Sequence, residues 1–456
     1  MNRKLRLTGA TTLVLAVVLA ALTAEPVAAQ SRIPEQIDLE TAVALALQSN
    51  LGIESELLAV RQKKLIADTW WNRFYPQANA SVTLGRLNEE PAAGPLQPDP
   101  SRWFMSAGLN LSLDLTLQTF PGISLARMDY EMGLLSLADA RRQIERDVSK
   151  QFYNLLLARE QIALVEERIA TAQRRYNQAQ INFNNGLIDE FTLLSAQVGV
   201  ETQRPALEAL RGGYQQQLLS FRNSLGLPLH TRVEPIGEID PPTVTLTGDN
   251  LDEQILRQRL DIQQLLLLEQ IRQEQLRIND FSQGGRVPFV RFGLTVDPTF
   301  QGNPWQDSWF DGDNWSQRSG AFTVTIVQPL TAWLPFSQQR NQAAETEMEI
   351  ARNRISIDQL LRGAEIGVQG LLLGIRTSLQ TSAALEENIR LARRAYELAE
   401  IGYNNGLREL LEVQNAEVDL KDAEFQLLQE QKNIMDNLLD LVYELNVSMD
   451  EITTEN

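Results

Sequence analysis

His230 is the only imidazole in the chain, and there is no cysteine. Thiol nucleophiles, disulfide frameworks and thiolate zinc sites are therefore ruled out. One imidazole is too few for an ordinary hydrolase or metalloenzyme site, and His230 sits among Pro228, Pro235, Pro241 and Pro242, where it takes no chemical role. No residue set reads as catalytic or metal-binding, and no cofactor is implied. The formal charge is −18 with pI about 4.7, the wrong sign for gripping phosphates, so nucleic acid is not expected as a partner. Apolar residues make up 43% of the chain and charged residues 22%. That suits an ordered protein and is too polar for a helical membrane bundle. The function is expected to come from shape rather than from reaction chemistry.

The elements that would make such a shape begin after residue 29. Arg3, Lys4 and Arg6 precede the apolar run 13–21, and Val27-Ala28-Ala29 stands before Gln30. This order of basic, apolar and small-residue regions marks residues 1–29 as a secretory signal peptide. No later stretch is long and apolar enough for a spanning helix.

The rest is a duplicated unit. Residues 165–198 laid over 385–418 give 14 identities in 34 positions without a gap, and Asn184-Asn185-Gly186-Leu187 recurs as Asn404-Asn405-Gly406-Leu407. The same offset of 220 pairs Arg142 with Arg362 and Val148 with Val368. The reading is a first repeat at 30–226, a linker at 227–250 and a second repeat at 251–456. Each copy runs helix, strand, strand, long helix, turn, helix. Residues 38–74 form the opening helix. Strands are expected at about 77–87 and 105–117, then at about 287–297 and 320–328, because apolar and polar residues alternate there with a period of two. A loop carrying Pro91, Pro95, Pro98 and Pro100 separates the first two.

Strands of about 10 residues have the length that crosses a bilayer at a tilt. Half-buried hairpins of a soluble sandwich alternate in the same way, but the aromatics favour the membrane. Trp70, Trp71, Trp103, Trp305, Trp309, Trp315 and Trp333, all the tryptophans of the chain, flank these strands. Indole rings collect at membrane–water interfaces. Four strands cannot close a barrel, so several chains are expected to share one.

The long helices read from about 123 to 183, roughly 90 Å at 1.5 Å per residue, and from about 338 to 402. Ile144, Val148, Phe152, Leu155, Ile162, Val165 and Ile169 trace a coiled-coil seam on the first. Gly363, Gly367, Gly370 and Gly374 are expected to loosen the second. Pro205 and Gly212-Gly213 are expected to kink or break the first return helix. Both long helices stop at Asn-Asn-Gly, where glycine accepts a positive φ.

Together these features resemble the TolC family of outer-membrane efflux and secretion channels. The run from Leu39 to Leu47 with Asn50 and Leu51 is similar to the family's opening helix. Tyr403-Asn404-Asn405-Gly406-Leu407 leading to Val413-Gln414-Asn415-Ala416 is similar to its tip-and-return motif. Leu225-Gly226-Leu227-Pro228 resembles the end of its first half, and Arg259-Leu260-Asp261-Ile262 the start of its second, with leucine in place of the family's proline. The resemblance implies a mainly helical protein with membrane strands: a homotrimer whose twelve-strand β-barrel in outer-membrane lipid continues as a twelve-helix periplasmic α-barrel. It implies a passive exit duct of a tripartite efflux or type I secretion system, working with a periplasmic adaptor and an inner-membrane transporter. The alternative is a soluble periplasmic hairpin protein that bridges partners. By position, Asn185, Gly186, Leu187, Asn405, Gly406 and Leu407 are the docking candidates. Tyr403, Arg408, Glu412 and Thr192 match the entrance, where Thr192 and Asn415 replace acids that the family can carry.

Overall fold

The computed structural model describes residues 35–88, 103–115, 119–242, 256–281, 288–296, 298, 300, 305–316, 320–328, 330, 333–405 and 407–452. The expected signal peptide, the loop at 91–100, residues 243–250 of the linker and Gly406 lie outside them. Strand β1 (Gln36–Ile37) leads into helices α1 (Leu39–Ser49) and α2 (Leu51–Asp68). Strands β2 (Gln77–Arg86) and β3 (Trp103–Leu115) come next, then helices α3 (Thr119–Asn184), α4 (Glu190–Glu201) and α5 (Arg204–Ser224). After β4 (Glu234–Pro235) the second copy supplies α6 (Leu260–Phe281), β5 (Phe289–Val296), β6 (Ala321–Val327), α7 (Gln338–Asn404), α8 (Leu410–Leu445) and the short α9 (Met449–Ile452).

The four long strands form one antiparallel sheet in the order β2-β3-β5-β6. Its register keeps the period-two pattern intact across strands. Ala78, Leu111, Leu294 and Phe322 form one cross-strand row, and Leu113, Phe292 and Val324 another. The opposite face carries Gln77, Ser112, Gly293 and Thr323 in one row and Asn79, Asn110 and Thr295 in the next. The apolar face is uncovered: Val82 is 72% exposed, Phe322 68% and Ile326 71%. A soluble sandwich would bury that face, so its exposure favours lipid as the surrounding medium.

The tryptophans divide into two belts at the two ends of this sheet. At the end nearer the helices, a 3₁₀ turn (Trp70–Phe74) sets Trp70 edge-on to Phe74 at 5.8 Å and Trp71 edge-on to Tyr75 at 4.9 Å. Trp333 and Phe336 follow β6 at the same end. At the far end Trp103 meets Trp305 at 5.6 Å, and Trp315 packs on Phe300 at 5.3 Å while donating its Nε1–H to the Trp309 carbonyl. The ten residues of β2 span about 34 Å along the strand, or about 24 Å across a bilayer at a 45° tilt. The belts are thus one hydrocarbon thickness apart.

Below the sheet, α3 has 66 residues and α7 has 67, about 100 Å each. Their shared core lies near mid-length. There Val148, Phe152 and Leu155 of α3 meet Phe221 of α5, Val368 and Ile375 of α7, and Ile434, Leu438 and Leu441 of α8. A smaller cluster of Ile53, Val60 and Leu137 fixes α2 on α3. Among the described residues no helix is long and apolar enough to cross a membrane.

Three local expectations change. The opening helix is divided at Asn50, whose side chain accepts from the Gly52 and Ile53 amides and so caps α2; it ends at Asp68 rather than reaching residue 74 as α-helix. The apolar periodicity continues through the cap, which hid it. The four glycines of α7 leave the helix unbroken, because Ala364 and Val368 among them and Ile375 just after them are held in the core. In the first return helix the break falls at Thr202–Gln203, next to Pro205 at the start of α5, while Gly212 and Gly213 stay helical. Proline lacks an amide hydrogen and collides with the preceding turn, whereas glycine costs only about 1 kcal/mol.

Gly226 shows how tightly the middle is closed. Its φ is +71° and a Cβ there would lie 1.9 Å from the Ser49 carbonyl oxygen. The Leu227 amide donates to Arg222 O, the Gly226 amide donates to Asn223 O, and Asn50 Nδ2 donates to Ser224 O. This left-handed cap therefore ends α5 against the α1–α2 junction. Gly226→Ala should cost about 2–4 kcal/mol, combining backbone strain with a backbone collision. The check is the denaturation midpoint of the detergent-solubilised protein, which should fall well below that of Gly213→Ala, a helical glycine with open space around it.

Candidate functional site at the hairpin tips

The far ends of α3 and α7 are built from the repeated turn. At the first, the Leu187 amide donates to Asn182 O at 2.8 Å and the Gly186 amide to Phe183 O at 2.9 Å. This is a Schellman closure, and Gly186 takes the left-handed position with φ +70°. No atom lies within 4 Å of where its Cβ would stand, so backbone conformation rather than crowding selects glycine there. Helix α4 then starts under an Asp189 cap, whose Oδ1 accepts from the Thr192 amide at 3.1 Å and from the Thr192 hydroxyl. At the second tip the Leu407 amide donates to Gly402 O at 2.8 Å, the equivalent bond. Asn405 Nδ2 donates to Ile401 O at 2.8 Å, fastening the turn to the last helical carbonyls. Each turn thrusts a leucine outward: Leu187 is 71% exposed and Leu407 82%.

The entrance candidates fall into two groups. The Arg408 side chain lies across Gly402 and donates to Glu412 Oε2 at 3.0 Å, a half-exposed pair that ties the tip turn to the first turn of α8. Tyr403 and Thr192 instead line one cavity of about 920 Å³ between the two hairpins, together with Arg174, Arg175, Gln178 and Gln414. Asn415, where an acid was considered, accepts a hydrogen bond from Arg175; Gln414 Oε1 accepts another at 3.2 Å. Burial pushes the Arg175 guanidinium below its usual pKa.

Sequence reading missed what joins the hairpins. Helix α3 supplies cations and α8 supplies anions down a single antiparallel seam. Lys150 Nζ lies 2.6 Å from Asp440, Arg168 bonds Asp422, and Arg174 lies 3.8 Å from Glu417. The signal was present as basic residues at 168, 174 and 175 facing acids at 417 and 422. Pairing them required the register between two helices far apart in the chain. The same holds for Arg259, nearly buried and paired with Asp261 at 2.8 Å and with Glu444. His230 is exposed in the turn after α5.

A family model described as outer membrane efflux protein matches residues 43–227 and 253–446, one segment per repeat. Among solved structures, the fold is similar to that of CusC, studied for transmembrane channel formation: TM-score 0.70, 18% identity, covering 90% of this chain and 92% of that one. The outer membrane channel CmeC of Campylobacter jejuni gives TM-score 0.70 at 14% identity, covering 89% and 85%. The open state of the MtrE outer membrane channel of Neisseria gonorrhoeae gives 0.68 at 16%, covering 91% of each. A search of curated protein sequences finds no match.

The Asp189 cap has a testable pH dependence. The Thr192 hydroxyl, then the Thr192 amide, holds this carboxyl below its ordinary pKa. A lowered folded-state pKa stabilises the cap above the carboxylate range, and that stabilisation is lost as the pH falls through the lowered value. Hydrogen exchange at the Thr192 amide should therefore be protected at neutral pH and lose protection in acid. Asp189→Asn should keep the cap and remove the pH dependence.

Proposed function

The chain belongs to the outer membrane efflux protein family, and from that premise we propose that it is the passive exit duct of a tripartite efflux or type I secretion system. Three copies each lend four strands to one twelve-strand barrel, and their long helices continue it as a twelve-helix tube through the periplasm. One observation carries this reading. A four-stranded sheet with an exposed apolar face and two open edges stands on helices about 100 Å long. In lipid, open edges leave backbone groups without partners, so the sheet needs other copies to close it.

In this reading residues 1–29 are a signal peptide that is removed, 30–226 and 251–456 are the two repeats, and 227–250 links them. An inner-membrane transporter supplies the energy, and a periplasmic adaptor meets the tips at Asn185, Gly186, Leu187, Asn405, Gly406 and Leu407. The two exposed leucines support that role, since each offers an apolar knob beside a glycine that lets another backbone approach. Tyr403, Arg408, Glu412 and Thr192 border the entrance. The seven tryptophans anchor the barrel at the two lipid interfaces.

The mass of the mature protein extracted from outer membranes in mild detergent tests the duct. Three copies per particle are expected, and a soluble single copy would overturn it. For the tips, Gly186→Trp should leave assembly intact and abolish adaptor-dependent export of a reporter substrate. Normal export by both Gly186→Trp and Gly406→Trp would remove the tips from docking.

A further inference from the structure

Arg175 has no counterpart in the other repeat. The offset of 220 sets Arg174 on Arg394 but Arg175 on Ala395, so the repeated hairpin is built without an arginine at that position. Its Nε donates to Gln414 Oε1 at 3.2 Å and its Nη2 to Asn415 Oδ1. A guanidinium has five N–H donors, so these two bonds leave three without a partner among the described residues. Amide oxygens accept hydrogen bonds but do not compensate charge. The chain has 59 Asp and Glu against 41 Lys and Arg, yet Arg175 is bonded to amides instead of a carboxylate. Burial alone pushes its pKa down, as expected of a cation with no anion beside it.

The cavity of about 920 Å³ that Arg175 lines has the opposite charge balance to the chain. Its charged lining is Arg174, Arg175 and Glu409, two cations to one acid. Arg174 is loosely held: it donates to Thr171 Oγ1 at 2.9 Å, while Glu167 and Glu417 lie at 3.7 and 3.8 Å. The same cavity has an apolar lining that includes Phe191, 77% exposed, and Leu411, 46% exposed. Its volume lies within the range of small-molecule sites, about 300–1,000 Å³, and is far too large for an inorganic ion alone.

We infer that this cavity is a binding site for a small organic anion, whose carboxylate or phosphate pairs with Arg175 and Arg174 and whose apolar body lies on Phe191 and Leu411. The planar guanidinium fork matches either oxyanion. A neutral ligand of the same shape would cover the guanidinium without compensating its charge. The site is contained in one chain, so binding does not depend on closure of the barrel. Its consequence for export does rest on the proposed duct. Tyr403 and Thr192 line the same cavity, so an anion leaving the periplasm would meet the site beside the entrance.

Calorimetric titration of the detergent-solubilised mature protein with 2-naphthoate, 2-naphthyl phosphate and neutral 2-naphthamide tests the site. At least one anion should bind about tenfold or more tightly than the amide, and the tighter of the two identifies the head group. Arg175→Gln should weaken that binding by about tenfold or more. Gln414→Glu keeps the shape of the lining and supplies Arg175 with a carboxylate. It should abolish binding without lowering the denaturation midpoint, which separates an occupied guanidinium from a lost fold. Equal affinity for anions and amide would overturn the site, as would no binding of any of the three. So would either variant binding like the parent. Anion-selective binding by a one-copy particle would support the site and overturn the duct.

Discussion

Every backbone amide and carbonyl that enters lipid needs a partner inside the protein, and a four-stranded sheet leaves two edges without one. That constraint ranks above the packing of the helices. The sheet turns apolar rows outward, from Leu113–Phe292–Val324 to Ala78–Leu111–Leu294–Phe322, so it cannot be closed by folding over onto itself. Edge must meet edge. Because the helices at the two edges continue directly from the edge strands, whatever closes the barrel also closes the tube below it.

The duplication is the economical answer to that constraint. One helix–strand–strand–helix–helix unit, used twice, supplies two of the four long strands each time. The aromatics show how the unit is held at the right height. One belt, with Trp70, Trp71 and Trp333, stands where the strands meet the helices, and the other, with Trp103, Trp305, Trp309 and Trp315, at the far end. An indole resists both full burial in hydrocarbon and full exposure to water, so two belts oppose displacement in either direction.

Much of this was legible in the sequence because the features are local and periodic. Alternation over 105–117 specifies a strand without reference to anything else, and Asn184-Asn185-Gly186-Leu187 carries its own helix stop. The break at Asn50 was not legible, because an unbroken apolar period conceals a cap whose second partner is the carbonyl of Ser224, 174 residues away. The glycines of α7 misled for the converse reason: local propensity predicted loosening, and tertiary packing of Val368 and Ile375 overrode it. The Arg168–Asp422 and Lys150–Asp440 bonds depend on the register between helices that only the fold brings together. At the entrance, Arg408 and Glu412 match the family by position alone, and the structure joins them to each other.

The chemistry of the seams bears on how such a tube can be both stable and movable. An exposed ion pair contributes at most about 1 kcal/mol and weakens with salt, whereas a buried aliphatic pair contributes about 1.5–3 kcal/mol per side chain and is insensitive to salt. The charged residues between α3 and α8 are mostly a quarter to a half exposed, and the neighbouring Arg175 is held by amides rather than by a carboxylate. Toward the tips, beyond the shared apolar core, the two hairpins of the chain are therefore held by the weaker kind of contact. A rearrangement near the tips then costs least where one hairpin slides on the other inside a single chain, around the cavity that already separates them.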